Sequence, residues 1–145
     1  MPIRFFYENI NFKIKNHRKT VKWINESAKK ENKLNGEINF IFCRDSYLLD
    51  LNHNFLRHKT LTDIITFDYS NGKSLSGEVY VSIERVMENS LKFKCDFEEE
   101  LRRVMIHGIL HLSGYNDKLP AEIAKMREKE DAYLSLYKKM FHVKH

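Results

Sequence analysis

The sequence predicts an α+β (α/β-like) fold in which a mixed four-stranded sheet packs against about five helices. The chain has 145 residues, which fits one domain over 1–145 and leaves little room for a second. Apolar residues make up 42% and charged residues 31%, as in an ordinary soluble domain. Strand-like and helix-like segments follow one another in the order β-α-β-α-β-β before the last helices. The two consecutive strands indicate that part of the sheet is antiparallel.

The first third of the chain predicts two strands around a basic helix. Ile3–Tyr7 is a short aromatic run typical of a strand. The segment His17–Lys33 places apolar residues among lysines with helical spacing, which predicts an amphipathic helix with a basic outer face. Asn35-Gly36 is a turn signal, and the alternating, β-rich segment Glu37–Cys43 predicts the second strand.

The middle of the chain predicts a helix followed by a hairpin. Asp45 is expected to cap a helix that continues to about Phe55. Thr62–Tyr69 is β-branched and aromatic, as in a strand. Asn71-Gly72 predicts the turn, and Gly77–Ser82 predicts the returning strand, so this is a hairpin with a longer loop.

Three further helices are predicted, each from a signal at its N-terminus. A serine, an Asp-x-x-Glu pair and a proline all favour helix starts, and a glycine favours a helix stop. The first helix is Ile83–Phe93, which Ser82 is expected to cap. The second begins at the capping pair Asp96 and Glu99, runs to Leu112 and stops at Gly114. The last helix runs from Pro120 to about Met140.

The charge is uneven along the chain. The net charge is +5, and residues 1–44 alone carry +6 from ten basic and four acidic side chains. A basic N-terminal third beside a near-neutral remainder is typical of a footprint for nucleic acid. Solvated lysines on a helix face explain the same pattern equally well.

Cysteine usage and hydropathy favour a cytoplasmic protein with no membrane partner. Cys43 and Cys95 are the only cysteines, too few for a disulfide framework, so two reduced thiols are expected. No apolar run approaches the roughly 20 residues that span a bilayer. The N-terminus lacks the pattern of a signal peptide.

The segment His107–Asp117 carries the candidate chemistry. His107 and His111 are four apart in a helical pattern, so both imidazoles leave the same face of a helix. Gly114 lets the chain leave the helix, and Asp117 is placed to supply a third metal ligand from the loop. This H-x-x-x-H-x-x-G-x-x-D pattern follows the logic of the metzincin zinc motif. Three protein ligands leave a position for water, which is typical of a catalytic site, and a metal-bound water is the expected nucleophile.

Gly108 discriminates between two kinds of hydrolysis. It follows the first histidine directly, where zincin peptidases carry the glutamate that acts as general base. Glycine cannot exchange a proton, so peptide hydrolysis by that route is disfavoured. Phosphodiester cleavage depends more on electrostatic stabilisation of the phosphoryl oxygens, which a metal ion supplies. No catalytic side chain beyond the metal ligands is assigned.

The segment resembles the YbeY family of bacterial metal-dependent rRNA maturation factors, whose signature is H-G-x-L-H-L-x-G-Y followed by a third ligand. Two more blocks agree in the right order. Leu51-Asn52, followed after nine residues by Thr62–Phe67, is similar to the family's LN…TDVLSF, and Gly77–Ser82 is similar to its G-D-I-x-I-S strand. The matching signature residues are His107, Gly108, Leu110, His111, Leu112, Gly114 and Tyr115.

The resemblance implies a single-strand-specific endoribonuclease that binds one zinc ion. It also implies maturation of the 3′ end of small-subunit rRNA and a part in ribosome quality control. The implied partners are single-stranded rRNA and the small ribosomal subunit, with no DNA substrate expected.

Two positions depart from the family pattern. Asp117 stands where most members have a third histidine; a carboxylate is an acceptable zinc ligand, and it widens the choice to other divalent metals. Leu56 stands where members commonly carry an arginine, with Arg57 adjacent, so that arginine's role is not transferred. Arg57, His58 and Lys59 are interpreted either as phosphate contacts or as loop charge.

The remaining candidate residues are not expected to bind metal or take part in catalysis. Asp63 is expected to cap a turn or order the loop before its strand. The histidines without partner spacing are not expected to bind metal; they are His17, His53, His58, His142 and His145.

Three functions stay open from the sequence. The first is a metal-dependent RNA hydrolase, with the basic region Lys13–Lys33 facing RNA or the ribosome and either water or the RNA 2′-OH as the attacking group. The second is a non-catalytic ribosome-associated module whose metal organises the loop after Gly114. The third is a zinc peptidase, which Gly108 weakens.

Overall fold

Helices and strands follow one another through the described residues, which in this computed structural model are 3–55 and 62–142. Four strands and five helices lie in these ranges. They are β1 (Ile3–Tyr7), α1 (His17–Lys30), β2 (Leu34–Cys43), α2 (Asp45–Phe55), β3 (Ile64–Asp68), β4 (Ser74–Ser82), α3 (Ile83–Lys92), α4 (Phe97–Leu112) and α5 (Pro120–Phe141).

The four strands form one mixed sheet in the order β1-β2-β4-β3. β1, β2 and β4 are parallel, and β3 runs antiparallel to β4 as the second arm of a hairpin. Gly72 turns this hairpin with a φ of 60°, a conformation that favours glycine. The predicted α+β class with a mixed four-stranded sheet is therefore confirmed.

The core lies between the sheet and the helices α1, α4 and α5. Phe40 and Phe42 of β2 are fully buried, as are Trp23 of α1 and Met105 of α4. Each buried side chain of this size contributes about 1.5–3 kcal/mol through removal of apolar surface from water. The Trp23 indole N–H also donates to the carbonyl oxygen of Tyr133 at 2.7 Å, which fixes α1 against α5.

The turn predicted at Asn35-Gly36 is wrong, because α1 ends earlier and β2 begins earlier. Asn32 adopts φ 59° and ends the helix, with its N–H bonded to the Lys29 carbonyl and the next N–H to the Ala28 carbonyl. This is the geometry of a Schellman motif with asparagine in the usual glycine position. Asn35 and Gly36 instead lie in β2, where the register to β4 shifts.

The predicted cap at Asp45 is also wrong, since Asp45 is the first residue of α2. Its carboxylate accepts hydrogen bonds from the Ser82 hydroxyl at 2.6 Å and from the Arg85 guanidinium at 3.0 Å. Ser82 does cap α3 as predicted, because its hydroxyl accepts the Arg85 backbone N–H. Asp45 therefore joins the N-termini of α2 and α3.

The predicted start of α4 is confirmed, but the Asp96 half of the predicted capping pair is wrong. Asp96 occupies the N-cap position without a side-chain capping hydrogen bond. The Glu99 carboxylate lies 2.9 Å from Lys138 of α5. At the start of α5, Pro120 is the first helical residue as predicted, and Glu122 accepts the Leu119 backbone N–H at 2.9 Å.

No helix within 3–55 or 62–142 combines the length and hydropathy needed to cross a membrane. Cys43 is buried, Cys95 is half-buried, and both are free thiols.

Candidate metal centre

The last two turns of α4 carry His107 and His111 on one face. Their rings meet edge to face with centroids 4.5 Å apart, and both side chains are largely buried. Gly114 ends the helix with φ 106°. The N–H of Gly114 bonds to the His111 carbonyl and that of Tyr115 to the Leu110 carbonyl, which is again a Schellman motif. The predicted glycine stop is confirmed, and it turns the chain back toward the histidines.

Asp117 returns to the two histidines from this loop. Its Oδ2 lies 3.1 Å from His107 Nε2 and 3.3 Å from His111 Nε2. One ligand atom from each of the three residues lies within 4.8 Å of the other two. A tetrahedral zinc ion with bonds of about 2.0–2.1 Å separates its ligand atoms by about 3.3–3.4 Å. The three side chains are therefore spaced to hold one ion.

The hydrogen bonds of the imidazoles fix which nitrogen faces the centre. His107 Nδ1 lies 2.6 Å from a Glu130 carboxylate oxygen, and His111 Nδ1 lies 3.0 Å from the Tyr115 carbonyl oxygen. A neutral imidazole carries one N–H, and the shorter contacts at Nδ1 place the hydrogen there, which leaves the Nε2 lone pair to face a cation. In this tautomer the two Nε2 atoms and the Asp117 oxygen form one set of electron-pair donors. A bound cation satisfies this set of donors.

Glu130 contacts the candidate centre, and the sequence pattern did not predict it. It lies on α5, its side chain is 7% exposed, and it also accepts from Arg103 Nη1 at 2.8 Å. Burial raises the pKa of this carboxyl, but hydrogen bonds from His107 and Arg103 outweigh burial and hold the pKa below its usual value. For His107 the two effects have opposite signs. Burial lowers the pKa of the imidazole, but the hydrogen bond and charge of Glu130 outweigh burial, so the pKa lies above its usual value. A carboxylate behind a histidine orients the ring and makes it a stronger metal ligand.

A second carboxylate, Glu31 at the end of α1, anchors the loop that carries Asp117. It accepts from the Tyr115 hydroxyl at 2.6 Å, from the Tyr133 hydroxyl, and from Lys129 Nζ at 3.1 Å. Its side chain is only 9% exposed. The Tyr115 residue held in this way is the one whose carbonyl orients His111, so α1 takes part in building the centre.

The centre opens into a cleft of about 400 Å³ between α3, α4 and α5. Asp63 lies in the cleft wall, and burial raises the pKa of its carboxyl above the usual value. Its backbone carbonyl accepts the Ser82 N–H at 3.0 Å, which fits the predicted role in ordering the chain before β3. Its place in the cleft with His107 and Asp117 was not predicted, because residue spacing does not reveal it.

Gly108 faces the sheet and not the centre. A Cβ at this position meets Val79 Cγ1 at 2.8 Å and Ile64 Cδ1 at 3.1 Å. A glutamate here would have to enter the packed interface between α4 and the β3–β4 hairpin. The position used by the general base of zincin peptidases is therefore closed to any such side chain.

The other candidates fall into two groups. Leu56, Arg57, His58, Lys59 and His145 lie outside the described residues. Of the remaining histidines, His17 packs edge-on against Phe5, while His53 and His142 are exposed.

Comparison with known proteins identifies the family. The family described as endoribonuclease YbeY matches residues 3–138. The endoribonuclease YbeY of Flavobacterium psychrophilum is 53% identical over 98% of each chain, and that of Flavobacterium johnsoniae is 48% identical over 97% of this chain and 98% of its own. The solution structure of TM1509 from Thermotoga maritima superposes with a TM-score of 0.68 at 30% identity, covering 97% of this chain and 91% of that one. The chain belongs to the endoribonuclease YbeY family.

Proposed function

We propose that this protein is a metal-dependent endoribonuclease acting on single-stranded RNA, with residues 1–145 as one domain and His107, His111 and Asp117 as the metal ligands. The observation that carries the proposal is that both histidine Nε2 atoms lie 3.1–3.3 Å from Asp117 Oδ2, with all three ligand atoms within 4.8 Å of one another. Membership of the endoribonuclease YbeY family supports RNA as the substrate.

Zinc is the proposed metal, since two imidazoles and one carboxylate are a ligand set of catalytic zinc sites. When bound, such an ion activates water and stabilises negative charge on phosphoryl oxygens. The protein's own residues hold the ligands in place: Glu130 orients His107, and the Tyr115 carbonyl orients His111. Because Asp117 brings a negative charge and a hard oxygen, manganese or another divalent ion is the alternative occupant.

The basic outer face of α1 is the proposed surface for RNA or the ribosome. Lys22, Lys29 and Lys30 are all exposed there. Glu31 at the end of α1 accepts a hydrogen bond from Tyr115, which lies in the loop that carries Asp117. This surface therefore adjoins the metal centre. We propose small-subunit rRNA, including its 3′ end, as the substrate, with the small subunit as partner, a part in ribosome quality control, and the cytoplasm as the location.

The experiment that tests the proposal is cleavage of single-stranded RNA by the zinc-loaded protein, with duplex RNA and single-stranded DNA of the same sequence as comparisons. The wild type should cut only the single-stranded RNA. His111→Ala should lose both metal and cleavage, while His53→Ala, at an exposed histidine of α2, should lose neither.

Two results would overturn the proposal. Cleavage that survives in His111→Ala after the metal is lost would mean that the nuclease is a contaminant and that the protein is a binding module. Robust turnover of casein by the zinc-loaded wild type, without RNA cleavage, would mean that the protein is a peptidase.

A further inference from the structure

The mouth of the metal cleft carries large apolar side chains that the metal centre does not use. Phe93, the C-cap residue of α3, is 57% exposed, and Ile123 of α5 is 50% exposed. Both line the same cleft as His107 and Asp117. Apolar side chains left exposed at the rim of a polar cleft are typical of a ligand contact, because they lose water when a ligand arrives.

The same cleft wall carries an unpaired cation. Arg127 of α5 lines the cleft and is exposed, and it forms no ion pair with any residue in 3–55 or 62–142. Arg103, the other arginine of the wall, is instead bound to Glu130 and Asp131. Lys92, next to Phe93 in the chain, places its Nζ over one face of the ring, 5.6 Å from the centroid. The rim therefore combines an exposed aromatic ring with the cation of Arg127, and a second cation lies over that ring.

We propose that Phe93 is a stacking platform for one unpaired nucleobase of the RNA, with Arg127 contacting a neighbouring backbone phosphate. This subsite rests on the proposed function and adds to it the group that recognises the substrate. An aromatic ring offers a base a flat apolar partner, and cations beside it attract the phosphates. The faces of a base inside a duplex are already covered by its neighbours. Stacking on Phe93 therefore favours binding of single-stranded RNA over duplex RNA.

The test uses Phe93→Ala, Phe93→Trp and the control Leu91→Ala, whose side chain is 71% exposed on α3 and is not part of the cleft wall. Zinc-loaded protein is mixed rapidly with a short RNA that carries 2-aminopurine at one position, so that base stacking is read by fluorescence before cleavage. At the stacked position the wild type and Phe93→Trp should quench the fluorescence. Phe93→Ala should not quench it and should bind about 5- to 150-fold more weakly, the range for removal of one base–aromatic stack.

The steady-state reaction separates this subsite from the metal centre. Phe93→Ala should raise KM with kcat within about twofold, because the residue lies outside the ligand set. Arg127→Ala should reduce the slope of log affinity against log salt by about 0.7, as expected for one phosphate contact on a single strand. An abasic nucleotide at the stacked position should weaken binding by the wild type and leave binding by Phe93→Ala unchanged.

The subsite is wrong if a wild type that cleaves RNA is matched by Phe93→Ala in both affinity and quenching at every probe position. It is equally wrong if Leu91→Ala weakens binding as much as Phe93→Ala does. A wild type that does not cleave RNA overturns the proposed function itself, which is a distinct result.

Discussion

Nδ1 of His107 lies 2.6 Å from Oε2 of Glu130, although the two residues are 23 positions apart and on different helices. Glu130 is in turn fixed by Arg103 on α4, whose second amino group reaches Asp131. The candidate centre is thus supported by α5 as well as by the α4 helix and loop that supply its ligands. Its geometry depends on residues that do not themselves face the ion.

Replacing Glu130 should weaken metal binding without removing a ligand. Glu130→Gln keeps the shape of the side chain but loses the negative charge that makes His107 a stronger metal ligand. The affinity for zinc should therefore fall about 10- to 100-fold. Competition with a chromogenic chelator measures this directly. Glu128→Gln is the matched control, since Glu128 lies on the same helix with a side chain 69% exposed. Equal affinities in the two variants would contradict the role assigned to Glu130.

The hydrogen bonds that Glu31 accepts should make the free energy of unfolding depend on pH in the acid range. Burial raises the pKa of Glu31, but hydrogen bonds from Tyr115, Tyr133 and Lys129 outweigh it and hold the pKa below 4.5 in the folded state. Because the pKa of Glu31 is lower in the folded protein than in the unfolded chain, the ionised carboxylate stabilises the fold at pH values above the unfolded-state pKa. This stabilisation is lost as the pH falls through the pKa of the folded state. Urea unfolding should therefore show a deficit in Glu31→Gln that is constant above about pH 5 and shrinks below 4.5. A deficit that does not change with pH would show that the charge of Glu31 is not what stabilises the fold.

Gly108 should tolerate no larger side chain. Valine there would push into Val79 and Ile64, which already lie within 3.1 Å of an added Cβ. Overpacking of this kind costs about 1–3 kcal/mol, which exceeds the few tenths of a kcal/mol, roughly, that valine gains over glycine in helix propensity. Gly108→Val should lower the free energy of unfolding by about 2 kcal/mol, measured by urea denaturation. Glu128→Val, on the exposed face of α5, controls for valine in a helix, and an equal loss in both variants would refute the close packing.

Charge reversal on α1 should flatten the salt dependence of RNA binding. For a single strand, the slope of log affinity against log salt falls by about 0.7 for every phosphate that the protein no longer neutralises. The triple variant Lys22→Glu, Lys29→Glu, Lys30→Glu should reduce the slope accordingly, while Lys139→Glu, at an exposed lysine near the end of α5, should not. An unchanged slope in the triple variant would remove this face from the RNA surface.

The parts of the centre that sequence predicts are those built by local geometry. The spacing of His107, His111, Gly114 and Asp117 predicts a helix, a stop and a returning loop, and the three proposed ligand residues do come together. Glu130 and Glu31 carry no such signal. They reach the centre only because α4 packs against α5 and α1 ends beside the loop, and these are tertiary contacts.

The errors in the predicted fold have the same origin. Asn35-Gly36 has the composition of a turn, but pairing with β4 draws it into β2, and the turn moves to Asn32. Asp45 has the composition of an N-cap, but its carboxylate is taken by Ser82 and Arg85 from a distant part of the chain. In both cases a long-range partner outweighs the local propensity.

The most direct test of the whole account is the metal content of the purified protein, measured by mass spectrometry after zinc loading and gel filtration. The wild type should carry one equivalent of metal per chain. His107→Ala, His111→Ala and Asp117→Ala should each lose most of it while remaining folded by circular dichroism. A wild type that binds no ion, or three variants that all retain a full equivalent, would contradict the assignment of these side chains as the metal ligands.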